Sequence, residues 1–580
     1  MTNKTTTLWT DSNFWASPLE SLDIITWCPE IFMLIGITIL LIYSIHYCAI
    51  LYTEICGGEI RILNSVFGQT AINTKDYKST NVSAESKNVV AYGFESRFVP
   101  PLSTLSAGPR DMIGHLTQWC SIWLLLTIFV LITHPWDHSL LFSSLFIRSK
   151  FSVGLSIFLF AYAFVCIQLS SQWLSSARAA RHVEYFIFIL ICLFGQHMLL
   201  QSVDLMSIYI SLELQSFCLA ILCSLNYQSQ FSVEAGIKYF LLSAFSSGIM
   251  LLGISLIYWS TGLTNCISIK ELLFACYQGM EIEEAGNIIS LKGMYGVDLL
   301  LMLGVWFVSL AFLWKLSAAP LHMWAADVYQ GAWSSVTLFL STLPKVAVFG
   351  CWISVWHGLW YCLWPETMTF FSALSMLVGA IAAMGQVHMK RLLAYSSINH
   401  IGILLMALCS QGGSSSALLT HLFIYLLTSL AVWGLILWPL KRPGIQKAVL
   451  TQYIWDFQIL WKTQPLAAIT WVIVMMSLAG LPPIAGFLGK LSVFWWTLNA
   501  HQYALLAIAL LTTLLSSVYY LRVVRIMYME AKPIKNWSSF TAMHTINAYL
   551  ITISLLGLLA LLWYSSPLIL YTHLICLVGA

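Results

Sequence analysis

Apolar runs long enough to cross a bilayer follow one another from about residue 29 to about residue 571. A run of ~18 or more apolar residues spans the hydrocarbon core as a helix. In lipid every backbone N–H and C=O must be paired within the protein, which leaves helices or a closed barrel. These runs are continuous, where barrel strands alternate apolar and polar residues, so the fold class is an all-α polytopic membrane protein. Composition agrees: 59% of the 580 residues are hydrophobic and 9% charged, against ~25% charged in a soluble domain. The net charge of +3 then says nothing about nucleic acid, and membrane lipids are the expected surroundings. The 14 cysteines form no CxxC pair and no Cys/His cluster with metal spacing, so they read as small hydrophobes in helix packing. The first 23 residues lack the basic region of a signal peptide, and no cleaved address is expected.

Fourteen spans are expected, near 29–53, 115–134, 151–172, 184–201, 204–225, 236–260, 297–319, 332–358, 367–386, 391–410, 416–439, 466–498, 503–528 and 543–571. They divide the chain into 1–53, a tail and the first span; 54–114, a polar inserted loop; and 115–183, spans two and three. Two five-span units, 184–366 and 367–528, follow, and 529–580 holds a last span. Loop charge supports the count. Alternate loops put Arg178, Arg181, Lys390, Arg391, Lys441, Lys462, Arg522 and Lys532, with most other basic residues, on one side. The opposite side receives only Lys4, Arg148, Lys150, Lys270 and Lys292, and its longest loop holds the acidic stretch MEIEEAG. Both termini belong to this less basic side.

Four lysines fall inside apolar segments: Lys238, Lys315, Lys345 and Lys490. Lys238 stands near a span start with Glu234 one turn earlier, which suits an interfacial ion pair. The others sit beside prolines. Lys315 precedes Pro320, Lys345 follows Pro344, and Lys490 follows Pro482 and Pro483. A proline leaves the carbonyl four residues earlier without its helical donor, here Leu316, Leu340, Leu478 and Ala479. A lysine at mid-membrane costs ~2.5 kcal/mol or more, so packing alone is a poor reason to keep three. Ionisable groups at broken spans mark transport sites. Glu213, about nine residues into its span, is the acid best placed to meet Lys315; Glu30, Glu184 and Asp204 lie near span ends and read as interfacial. His322 after the first break and His400 in KRLLAYSSINHIG are candidate relays, ahead of His388 and His421. The two breaks lie five spans apart, so a repeat of five-helix units would have its second copy inverted.

KLSAAPLHMWAADVYQG, KRLLAYSSINHIG, LAGLPPIAGFLGK and SLELQSF…FSVEAGIKYFLLSAFSSGI resemble the antiporter-like membrane subunits of respiratory complex I, NADH:ubiquinone oxidoreductase. The likeness extends from PEIF in the first span to SSPLILYTH near the C-terminus, and fits the subunit 2 branch of the mitochondrial and alpha-proteobacterial enzyme better than its sister subunits. It implies two inverted five-helix repeats, and makes Glu213, Lys315, Lys345 and Lys490 a chain of proton carriers. It implies no cofactor here: NADH, FMN, iron–sulfur clusters and ubiquinone belong to other subunits. The expected partners are other complex I subunits, notably neighbouring antiporter-like ones. The expected location is the mitochondrial inner membrane, ahead of a bacterial plasma membrane. The family's YEGSPTP is YQGAWSS here, with Gln330 in place of an acid, and a glycine usual before the histidine is Asn399. Two rivals are a multi-subunit cation/proton antiporter, which would want more central carboxylates, and a membrane scaffold, which would not want three central lysines.

Overall fold

The computed structural model describes residues 27–44, 108–133, 139–142, 144–177, 182–273, 294–356, 365–410, 414–438, 440–441, 451–458, 460–482, 484–529, 539–540 and 545–579. Most of the polar 54–114 loop, the MEIEEAG stretch, Pro483 and Lys532 lie outside these residues.

The apolar runs are helices. In chain order they are α1 (Cys28–Ser44), α2 (Gly108–Thr133), α3 (Lys150–Ala177), α4 (His182–Gln201), α5 (Leu205–Ser224), α6 (Gln230–Thr261) and α7 (Met294–Leu316). Then come α8 (Met323–Gly331), α9 (Ser334–Cys351), α10 (Pro365–Met384), α11 (Met389–Leu408) and α12 (Ser414–Ile436). The series closes with α13 (Pro465–Ala479), α14 (Ala485–Asn499), α15 (Tyr503–Met529), α16 (Thr545–Trp563) and α17 (Ser566–Gly579). Twelve described helices are long and apolar enough to cross a membrane. The shorter α1 and the broken α13/α14 segment supply the other two expected crossings.

Three expectations shift. The second span begins at Gly108, inside what reads as polar loop. Lys238 lies eight residues into a helix that starts at Gln230, not two into one that starts at 236. The last span splits at Tyr564 and Ser565, and α17 packs against α3 and α12, beyond the stretches that α16 covers.

Short strands close the ends. β1 (Ser139–Leu141) and β2 (Phe146–Arg148) form an antiparallel hairpin with Leu140 opposite Ile147. Its Leu145 carbonyl accepts from the Val203 N–H (3.1 Å), tying the hairpin to the α4–α5 turn. β3 (Leu440–Lys441) pairs with β4 (Ser539–Phe540).

Without a hydrophobic drive between helices in lipid, close approach depends on small residues. At the α6–α7 crossing, a Cβ on Gly253 would lie 2.8 Å from the Gly304 carbonyl, and one on Gly304 would lie 2.9 Å from the Gly253 carbonyl. Packing sorts the helices by depth. The apolar windows of α9 and α12 are 94% buried and that of α11 89%, against 33% for α15 and 28% for α16. The central three hold Lys345, His400, His421 and Tyr425, all four buried.

Candidate functional site

The first break is built by chain chemistry at the end of α7. Ser317 takes the left-handed conformation (φ 62). Its N–H donates to the Trp314 carbonyl (3.0 Å), and the Ala318 N–H reaches back to Leu313 (3.0 Å). That is the Schellman closure of a helix, with serine where glycine is usual. α7 therefore ends at Leu316, the residue whose carbonyl Pro320 cannot serve. Trp324 Nε1, on α8, donates to the Trp314 carbonyl across the break (3.1 Å).

Lys315, in the last turn of α7, turns toward α5. Its Nζ lies 3.7 Å from Glu213 Oε1, with side chains 7% and 13% exposed. That is an ion pair but too long for a hydrogen bond, and the ammonium has no hydrogen-bond partner among the described residues. The Ser216 hydroxyl, which donates to the Glu213 carbonyl at 3.0 Å, lies 3.4 Å from Glu213 Oε2. The lysine also lines a small cavity with Tyr239, Ser243, Trp314 and Trp324. The expected meeting of Glu213 and Lys315 is therefore present.

The second break repeats the closure with a glycine. Gly480 (φ 77) donates to Ser477 (3.0 Å), and the Leu481 N–H to Met476 (3.2 Å). The carbonyls of Leu478 and Ala479 are left over, as the prolines dictate. Lys490, 3% exposed on α14, fills both: its Nζ donates to Leu478 O (3.1 Å) and Ala479 O (2.7 Å). A Cβ on Gly480 would meet Lys490 Cδ at 2.6 Å, so glycine is needed both for the turn and for the lysine lying over it.

Lys345 stands between the breaks. α9 runs through Pro344 without ending, and Lys345 is 5% exposed. Its Nζ donates to the Tyr425 hydroxyl (3.4 Å) and lies 5.3 Å from that ring's centre. The Tyr425 ring is 5.1 Å from His400, and His400 is 5.6 Å from His421, centroid to centroid. His421 abuts α14 at Gly489, where a Cβ would sit 2.7 Å from its Nδ1. Tyr425, His400 and His421 thus bridge Lys345 to the helix of Lys490. A second cavity, with Tyr329, Ser341, Ser396, Tyr425 and Ser429 in its wall, reaches Leu478.

The other expected groups fall elsewhere. His322 caps α8, its backbone carbonyl accepting from Ala325 (3.0 Å), and its Nδ1 has no partner among the described residues. His388 stacks 4.5 Å from Tyr453 at the basic end of α11. Glu30, near the start of α1, is fully buried in protein, 2.9 Å from His197 Nε2 and 2.8 Å from Gln201 Nε2. α1 leans on α4 there, and a contact between residues 167 apart leaves no local trace in sequence. Lys238 keeps its Glu234 partner (2.7 Å) and gains Asp327 on α8 (2.8 Å), a residue 89 positions away that no local pattern links to it.

Comparison with known proteins bears on the whole arrangement. The family model for the NADH:quinone oxidoreductase/Mrp antiporter membrane region matches residues 202–516. NADH-ubiquinone oxidoreductase chain 2 of Marchantia polymorpha is 38% identical over 392 residues, 67% of this chain and 76% of the relative. The chain belongs to this family. Chain 2 of Arabidopsis thaliana is 34% identical over 75% of this chain and 82% of its own length. Subunit N of the Pelagibacter ubique NADH-quinone oxidoreductase is 33% identical over 70% and 82%. In respiratory complex I of Thermus thermophilus a 25% identical chain superposes with TM-score 0.63, over 79% of this chain and 93% of that one. The Mrp complex of Dietzia sp. DQ12-45-1b contains a chain with the same score at 19% identity, which shows a shared fold alone.

An antiporter-like membrane subunit of NADH:quinone oxidoreductase therefore accounts for this multi-pass chain, and the cation antiporter rival keeps only the fold. The 202–516 match takes in Glu213, both breaks and all three buried lysines. It leaves out α1 to α4, and with them Glu30 and His197.

Proposed function

We propose that this subunit translocates protons, with Glu213, Lys315, Lys345 and Lys490 as carriers and Tyr425, His400 and His421 between the last two. The observation that carries the reading is the Glu213–Lys315 pair: buried, 3.7 Å apart and not hydrogen-bonded. An amine in a desolvated site holds its proton less well, and a carboxylate beside it restores the hold. A small movement or neutralisation of Glu213 then decides whether Lys315 keeps its proton. The released proton passes by water in the polar cavities to Lys345 and, through Tyr425 and the histidines, to Lys490. His322 stands apart from this route. Residues 184–366 and 367–528 act as two inverted units, a division supported by the same helix closure at Ser317 and Gly480. NADH, FMN, iron–sulfur and ubiquinone chemistry resides in partner subunits, and neighbouring antiporter-like subunits continue the relay.

Lys345→Ala and Tyr425→Phe test the reading through proton flux per NADH in reconstituted vesicles, once assembly is verified. Lys345→Ala should stop the flux. Tyr425→Phe, which keeps the ring and deletes one hydroxyl, should slow it by roughly a hundredfold or more, the effect of removing one positioned proton-transfer group. Flux at the parental level in Lys345→Ala would end the proposal.

The location we infer is the mitochondrial inner membrane, supported by the plant chain 2 relatives. There the loops bearing Lys390, Lys441 and Lys532 should face the matrix. Thiol labelling of single cysteines in sealed mitoplasts should find 271–298 accessible and 442–450 protected; the reverse pattern would invert the topology.

A further inference from the structure

Lys238, Asp327 and Arg391 come from three helices, α6, α8 and α11, and meet at one carboxylate. Asp327 Oδ2 lies 2.8 Å from Lys238 Nζ, and Oδ1 lies 2.9 Å from Arg391 Nη2. Glu234 holds Lys238 from the other side at 2.7 Å. All four side chains are partly open, between 34% and 56% exposed. The neighbouring Lys390 donates to the Ala332 carbonyl just beyond α8 (2.8 Å), so α11 is fastened to α8 twice. Lys390 and Arg391 belong to the basic side of the membrane. At ~1.5 Å per residue α6 is ~48 Å long against a hydrocarbon core of ~30 Å, so Lys238, eight residues from its start, sits near that same surface.

What lies directly beneath is the Lys315 cavity. Tyr239 follows Lys238 in α6, and Trp324 is one turn before Asp327 in α8; their rings meet edge to face at 5.2 Å. Both line that cavity, as does Ser243, one turn deeper in α6. α8 runs from the break toward the basic side, so the order inward is Asp327 with Lys238, then Tyr239 with Trp324, then Lys315.

The geometry points to the Lys238–Asp327–Arg391 cluster as the gated mouth through which basic-side water reaches the Glu213–Lys315 pair. It rests on the reading of that pair as a proton site. Asp327, clamped by two cations from different helices, holds α6, α8 and α11 together over the cavity. Releasing either clamp lets α8 move from α6 and admits water to Lys315. Asp327 is here a positioning residue: it controls access and takes no part in the proton exchange at Lys315.

The test uses the assembled complex in membrane vesicles oriented basic side out, with Ser243→Cys in the cavity wall and methanethiosulfonate-ethylammonium as probe. Labelling is scored as the increment over the same complex with Ser243 intact. Asp327→Asn should raise the rate roughly fivefold, the factor given by losing about 1 kcal/mol of partly exposed ion-pair coupling. Asp327→Glu should restore slow labelling. Arg391→Gln, which removes one clamp, should raise the rate by a smaller factor and serves if Asp327→Asn does not assemble. Equal labelling in the parent and in both loosened variants overturns the mouth. Failure of the underlying site reads differently: proton flux that survives Lys315→Ala removes the pair, whatever the labelling shows.

Discussion

Complexes that assemble with Glu213→Ala or Lys315→Ala are expected to pump protons about tenfold more slowly per NADH, or worse. Removing one member of a buried ion pair leaves the other charge uncompensated, a penalty of ~3–5 kcal/mol in well-packed pairs. This pair is 3.7 Å apart and slightly open, so the lower end applies. That penalty falls on assembly; on transport, a transfer barrier raised by ~1.4 kcal/mol is a factor of ten in rate. Each survivor is left without the partner charge against which its proton would be exchanged. Either substitution removes the exchange on which transfer depends. The double substitution Glu213→Ala/Lys315→Ala should then cost about as much as either single one, because the two act as a unit. NADH oxidation should slow with pumping, since the two are coupled in the complex. Proton flux in vesicles, normalised to assembled complex, is the measurement. Full flux in both single variants, or additive losses in the double, would show that the pair does not act as one carrier.

The depth to which this site could be read from sequence follows the range of the signal. Lys315, Lys345 and Lys490 declare themselves because a charge in an apolar run is costly wherever it stands. Glu213 declares itself because it is the one acid at comparable depth. The carbonyls of Leu478 and Ala479 could be named because a proline's missing N–H always acts four residues back. That Lys490 would reach both depends on the turn at Gly480 folding α14 against α13, which no local pattern announces. Tyr425 is an ordinary aromatic in an apolar helix until α12 is laid beside α9. Asp327 does not stand out in sequence, because its partners Lys238 and Arg391 reach it only once α8 is laid against α6 and α11. Glu30 and His197 lie too far apart in sequence for either to imply the other. The span count survives all this because loop charge and apolar length are local. The three features it misjudged, the early starts of α2 and α6 and the split before α17, sit where polar and apolar residues mix.

Lys490 offers the sharpest separation of structure from transport, because the proposed relay gives its ammonium a second job beside the two carbonyls it meets. Its donors satisfy two buried carbonyls at the end of α13, and each carbonyl left bare would cost ~1–3 kcal/mol. Lys490→Ala should therefore fail twice, assembling poorly and passing no protons in what assembles. Lys490→Arg divides the roles. A guanidinium keeps the charge and supplies donors enough for both carbonyls, so assembly should be largely retained. Arginine does not give up its proton in proteins, so it cannot release one toward the far side. Assembled Lys490→Arg complexes should oxidise NADH slowly and pump at most about a hundredth as fast as the parent, the loss expected for a missing proton-transfer group. Native electrophoresis of solubilised membranes scores assembly, and vesicle acidification scores transport. Parental acidification by Lys490→Arg would leave Lys490 as a helix cap alone, and the relay would then have to end at Lys345.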